Sequence, residues 1–218
     1  MALTFPFALT SFANLLPKTS VRFDLKYQQE MSGLAVGQVI VADLGPAFWE
    51  AEITMINLQN DDWRALQALV LALDGGLNDF YLYDPRCAYP QYDPDGSKLG
   101  SSTITNTNVA SNGKVMDFTG FPNNYKINPG DMFSFDYGSG NAYRALHMVV
   151  NGGTANSSHD LNNVEFRPHL DDPSLATGKT MDFIKPAGRF KLIPGTYDPG
   201  AARQMMTTGM TLKARQIP

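Results

Sequence analysis

Residues 60–84 (NDDWRALQALVLALDGGLNDFYLYD) hold one helical period in a chain otherwise written in strands and turns, and this segment narrows the possible folds most. Trp63, Leu66, Leu69, Val70 and Leu73 recur at three- and four-residue spacing, which puts them on one face of a helix. Asp61 and Asp62 are expected to cap that helix and to place negative charge near the positive end of its dipole. Gly75 and Gly76 end it. Beyond them Phe80 and Leu82 alternate with Tyr81 and Tyr83, the period of a strand, up to the turn former Asp84-Pro85. A helix with one apolar stripe that leads straight into a strand docks on a sheet. Its other face has Arg64 and Gln67 as its main polar members, which leaves open a partner on that face or a plain core helix of an α+β domain.

The strands around it follow from alternation. Residues 20–27 (SVRFDLKY) read as a half-buried strand, residues 36–42 as a second, and residues 47–58 (AFWEAEITMINL) as a third, with Trp49, Ala51, Ile53 and Met55 on one face. Trp49, Trp63, Leu66, Leu69 and Phe80 are the expected core of this first unit. Residues 86–113 are polar and turn-forming, a natural boundary or long loop. A second series of strands occupies residues 114–119, 131–137, 143–151 and 163–167, separated by PNN, NPGD, GSGN and NGGT. Short, evenly spaced strands with Gly-rich turns suggest a small barrel or sandwich. Strands at 180–184 and 188–193 are placed to return to the first sheet, which would make the second unit an insertion. The expected fold is therefore mainly β: a β-sandwich with one docked α-helix (1–92 with 173–199) and an inserted small all-β domain (93–172). The weakly periodic tail (200–218) is expected to order on assembly.

With 218 residues, 43% of them apolar, the chain can bury a sizeable core. Seventeen basic against 21 acidic residues, a net charge of −4, argue against the broad electrostatic footprint of a nucleic-acid binder. One cysteine, Cys87, excludes an intrachain disulfide, suits a reducing cytosol and reads as a small buried apolar residue. The N-terminal stretch is apolar but lacks a basic n-region and is interrupted by Pro6 and Pro17, so neither a signal peptide nor a membrane span is expected. Phe5, Phe7, Phe12, Leu15 and Leu16 form either an apolar arm facing a neighbour or the first strand of the core. Met205, Met206 and Met210 in the tail are expected to meet a neighbour as well.

Chemistry is sparsely represented. His147, His159 and His169 lack metal-ligand spacing, and no zinc-protease, nucleophile-elbow, Walker or dinucleotide motif occurs, so no catalytic residue, metal or cofactor is expected. Residues 93–97 (DPDGS) differ from a calcium loop, because the glycine comes early and no glutamate closes the loop. Asp171 and Asp172 are adjacent in an extended segment and point apart. Tyr89, Tyr92, Tyr125, Tyr137 and Tyr143 lie in or near the insertion, and exposed aromatics there would mark a carbohydrate-binding module, the alternative function.

An ordered set of segments resembles the distal tail protein family of long-tailed bacteriophages and related gene-transfer particles. In chain order these are FPFAL, SVRFDL, FWEAEITM, WRALQALVLALDGG, NDFYLYDP, INPGDMFSF, YRALHMVV, VEFRPHL and RFKLIPG, spanning about residues 5–195. The resemblance implies a non-enzymatic structural protein whose β-sandwich assembles into a ring, often a hexamer, at the tail tip. Such a ring joins the tube to the hub and receptor-binding apparatus, with tail tube, hub and tape measure proteins as partners. It further implies synthesis in the host bacterial cytoplasm and residence in the virion. The stretch around Gly33 (EMSGLAVG) lacks the family's firmer turn, and the C-terminal tail is longer.

Overall fold

The computed structural model describes residues 3–33 and 37–218. In chain order it contains β1 (Lys18–Gly33), β2 (Val39–Met55), β3 (Leu58–Gln59), the helix α1 (Asn60–Leu71), β4 (Asp79–Leu82), β5 (Ile104–Val109) and β6 (Val115–Thr119). These are followed by β7 (Lys126–Ile127), β8 (Met132–Tyr137), β9 (Tyr143–Asn151), β10 (Gly153–Thr154), β11 (Asp160–Arg167), β12 (Thr180–Met181), β13 (Gly188–Leu192), β14 (Ala201–Arg203), β15 (Met206–Thr208) and β16 (Thr211–Ile217). The fold is mainly β.

The first unit is a five-stranded sheet in the order β1-β2-β16-β13-β4, antiparallel at every pairing. The second is a six-stranded sheet in the order β12-β5-β6-β11-β9-β8. Its two ends meet where Ser134 and Asp182 exchange backbone hydrogen bonds of 3.0 and 2.8 Å, so it is nearly a closed barrel. Small sheets β14-β15-β3 and β10-β7 complete the chain.

Alternation explains the first core. Trp49, Ala51, Ile53 and Met55 of β2 are buried with Leu212 and Ala214 of β16, Phe190 and Leu192 of β13, and Phe80 and Leu82 of β4. Against them α1 packs Trp63, Leu66 and Val70, while Leu69 is only partly buried at the rim. The expected aspartate cap is replaced. Gln59 stands at the N-cap with no side-chain bond, and Asp61 and Asp62 lie within the first turn, where they still complement the dipole. Asn60 instead ties the helix to the C-terminal hairpin, donating to the Gln204 carbonyl and accepting from the Thr207 hydroxyl, both at 2.8 Å. Gly76, at φ 125°, is required: a Cβ there would lie 2.5 Å from the Leu192 carbonyl oxygen. The second core is aromatic, with Phe118, Phe121, Phe133, Phe166 and Phe183 in largely edge-to-face contact at 5.2–6.2 Å.

Four expectations change. The strands at 36–42 and 47–58 are one strand, β2, continuous through Gly45 and Pro46 because β2 bulges there: between Lys26 and Gln29 of β1 the register shifts twice, five steps of β2 opposing three of β1, and the Gln28 side-chain amide donates to the Pro46 carbonyl. Val36, with which the expected second strand begins, lies outside the described residues. The polar stretch 86–113 contains β5, whose buried Asn106 side chain accepts from the Lys179 amide at 2.7 Å. The second unit extends past residue 172, since β12 pairs with β5 and Ala176, Met181 and Phe183 lie in the aromatic core. Its two chain ends meet where the Lys185 amide donates to the Ala88 carbonyl at 2.7 Å. Lastly, the tail does not await a neighbour: β16 sits between β2 and β13 in the first sheet, with Leu212 and Ala214 fully buried.

The two units are welded together. The Trp49 indole donates to the Leu146 carbonyl at 2.9 Å, and Met132 and Leu146 of the barrel belong to the first core. Arg144, with only 15% of its side chain exposed, pairs with Asp136 and Asp182 and donates to the Ala187 carbonyl and the Ser134 hydroxyl.

Candidate assembly surfaces

The β1–β2 hairpin divides into two halves. In the proximal half Phe23, Trp49, Ala51 and Ile53 are buried, and the opposite face is charged: Arg22, Asp24, Lys26, Glu50 and Glu52, with Lys213 of β16 beside them. Lys26 pairs with Asp24 at 2.6 Å and Lys213 with Glu52 at 3.3 Å, so this face belongs in water. Beyond Phe48 the hairpin overhangs the sheet, because β16 pairs with β2 only from Glu50 to Thr54.

Cross-strand pairing sets the faces of this overhang. Met31 lies opposite Val41 and Gly33 opposite Val39 on one face, whereas Ser32 lies opposite Ile40 and Glu30 opposite Ala42 on the other. Met31, Val39, Ile40, Val41 and Leu44 are each more than half exposed. Apolar side chains therefore stand uncovered on both faces of a two-stranded ribbon, an arrangement with little stability of its own. The run VIV at 39–41 is the signal that strand alternation misses, since a half-buried strand would interleave polar residues there.

The N-terminal set divides. Phe7, Phe12 and Leu16 are buried in the first core and do not form a neighbour-facing arm, but the segment is no strand either: Phe7 makes a single bridge, and Phe12 and Leu16 lie in the turns and bend that follow it. Phe7 bridges to Phe80, accepting from the Tyr81 amide and donating to the Asp79 carbonyl at 2.9 Å each, which covers the β4 edge of the sheet. Phe5 and Leu15 are exposed. Among the tail methionines, Met210 is fully buried and is not available to a neighbour, because the β16 entry turns it inward. Met205 and Met206 are exposed at the turn of the β14–β15 hairpin.

The five tyrosines do not form one face. Tyr125 is buried, donates to Asp93 at 3.2 Å, and has its phenol pushed well above the usual range by burial and then by Asp93. Tyr92 packs edge-on to Tyr125 with the Lys98 ammonium 3.7 Å from its ring centre, and Tyr89 is half-buried near Gly96. Tyr137 and Tyr143 are neighbours at 5.5 Å across β8 and β9, with Tyr143 the exposed member.

Each of the three histidines has a structural partner at one ring nitrogen. His147 is buried among Phe133, Phe135 and Phe166, its Nδ1 is 2.8 Å from the Pro168 carbonyl, and burial lowers its pKa to about 3. His159 Nδ1 lies 2.8 Å from the Phe121 carbonyl, and His169 is 3.5 Å from Asp171. Asp93 accepts from the Lys98 and Leu99 amides, which makes the DPDGS segment a turn built on a buried carboxylate. Asp172 caps a short turn through the Ser174 amide. Burial raises the Cys87 thiol pKa, and its Sγ is 3.5 Å from the Gly130 carbonyl. Among the described residues no group of three or more His, Cys, Asp or Glu is arranged to hold a metal.

Between the two units a cleft of about 160 Å³ is lined by Phe48, Tyr137, Arg144, His169, Asp171 and Arg215. Small-molecule sites run to about 300–1,000 Å³, so this cleft is undersized for one. No helix among the described residues is long and apolar enough to cross a membrane. Comparison of the chain with protein-family models and with curated proteins returned no match.

Proposed function

We propose that the chain is a structural subunit of a phage-type tail tip. Copies of it assemble into a ring, a hexamer in the family it resembles, that joins the tail tube to the hub and receptor-binding apparatus. On this reading the protein has no catalytic role, its partners are its own copies and the tube, hub and tape measure proteins, and it is made in the host cytoplasm and resides in the virion.

The observation that carries the reading is the overhanging hairpin. Met31, Val39, Ile40, Val41 and Leu44 are exposed on a ribbon that nothing among the described residues covers, which is the form an assembly element takes before its partner arrives. The welded junction agrees with this. A ring subunit transmits load between its neighbours, and the Trp49 and Arg144 bonds make the two units one body. The order of the resembling segments supports the tail assignment in particular. Electron micrographs of the purified chain test it: closed rings with an open centre are expected, and a monomer at every concentration would contradict it.

A further inference from the structure

The six-stranded sheet closes on itself through its shortest joint. Within it the ladders run from two paired positions, Thr180 and Met181 with β5, to six along β8 and β9. Between its end strands β8 and β12 there is one bridge among the described residues, Ser134 with Asp182. Two residues on, Asp136 and Thr180 would continue that ladder and do not. The strands part there around a gap of about 320 Å³ lined by Asp136, Asn141, Gly178, Lys179, Thr180 and Asp182. A seam held by so few backbone bonds is where a barrel opens first.

Arg144 spans this seam and the junction between the units with one guanidinium. Nη1 donates to Asp136 at 2.9 Å, and Nη2 to Asp182 at 2.7 Å and to the Ser134 hydroxyl at 3.1 Å, so both sides of the seam are held. Nε donates to the Ala187 carbonyl at 2.7 Å, at the entry to β13 of the first sheet. The guanidinium carbon stands 5.4 Å from the ring centre of Tyr81 in β4. Ser134 repeats the pattern: its backbone exchanges bonds with Asp182, and its hydroxyl accepts from the Ala187 amide at 3.1 Å. With only 15% of its side chain exposed, Arg144 is left with an undercompensated charge when any of these partners leaves, so they leave together.

We propose that Ser134 and Arg144 form a latch through which opening of the barrel seam and release of the barrel from the first sheet are one transition. The coupling is reciprocal. An event on the barrel surface that draws Asp182 away loosens the hold on Ala187 and Tyr81, and a disturbance of the first sheet loosens the seam. The latch lies within one chain and works alike in a monomer and in a ring.

Hydrogen exchange of the full chain, followed by NMR, tests it. The Ser134 amide, which donates to the Asp182 carbonyl, reports the seam, and the Trp49 indole N–H, which donates to the Leu146 carbonyl, reports the junction. The Phe166 amide, which donates to the Lys114 carbonyl within the barrel sheet, reports general loss of stability. Tyr81→Leu acts in the first sheet and Asp182→Asn at the half-exposed edge of the seam. Tyr81→Leu is expected to speed exchange at Ser134, and Asp182→Asn at the Trp49 indole, each about tenfold, an ordinary size for coupling between sites, with Phe166 unchanged. In Arg144→Gln the Ser134 and Trp49 reporters are expected to speed up by the same factor. The parent rate at Ser134 in Tyr81→Leu or at Trp49 in Asp182→Asn would overturn the latch, and so would an acceleration that Phe166 shares equally.

Discussion

The two halves of one hairpin obey different rules. In the proximal half, buried Trp49 and Ile53 alternate with Glu50 and Glu52, so the sheet has a dry face and a wet face and its folding is complete within the chain. A few residues along the same two strands, Val39, Ile40 and Val41 put apolar side chains on both faces, with no layer over either among the described residues. The first pattern specifies a fold and the second specifies a contact. If that distinction is sound, substitutions of the same kind in the two halves have separate consequences, stability for one and assembly for the other.

The largest separation is expected between Ile53→Asp and Val41→Asp. Ile53 is fully buried, and a carboxylate placed there costs several kcal/mol, enough to unfold the first unit. Val41→Asp is expected to leave the melting temperature unchanged while abolishing rings; a lowered melting temperature would show that the arm is part of the fold. Deletion of residues 211–218 belongs with Ile53→Asp, because it removes β16 from between β2 and β13, and circular dichroism should report an unfolded first unit. Helix substitutions come next: Leu66→Asp is expected to unfold the first unit, and Leu69→Asp, at the half-buried rim, to lower the melting temperature less.

Trp49→Phe keeps most of the ring's packing but leaves the buried Leu146 carbonyl without its donor, for an expected loss of about 1–3 kcal/mol in denaturant melts. A pH effect is smaller per unit. The folded pKa of His147, about 3, lies below its ordinary value, so between them the unfolded chain binds the additional proton. The contribution of His147 is therefore full above about pH 6.5 and is lost as pH falls toward 3, with a slope of at most about 1.4 kcal/mol per unit. His147→Gln should flatten that part of the stability profile relative to the parent, and matching slopes would contradict the burial argument.

Much of the fold was legible where one period dominated. The apolar stripe of α1 and the alternation in β2, β4, β8 and β9 mark elements that the structure contains. β16 was hidden because its inward positions are Leu212, Ala214 and Gln216, and a small residue and an amide blur the alternation; Gln216 nevertheless faces inward, accepting from the Trp49 amide at 3.2 Å. β5 was hidden by asparagines, one of which is buried through a bond to the distant Lys179 amide that no local pattern encodes. The burial of Phe7 and Phe12 needed the long-range bridge to Phe80. Candidate contacts at Met205 and Met206 stay exposed, whereas Met210 was indistinguishable from them by residue type alone.

The most direct test of the central claim is the solution mass of the full chain, measured by light scattering beside that of Val41→Asp at matched concentration. A closed oligomer for the parent and a monomer of unchanged melting temperature for the variant are the predicted results. A parent that is monomeric, or a variant that assembles like the parent, would contradict the assignment of the arm as the element that builds the ring.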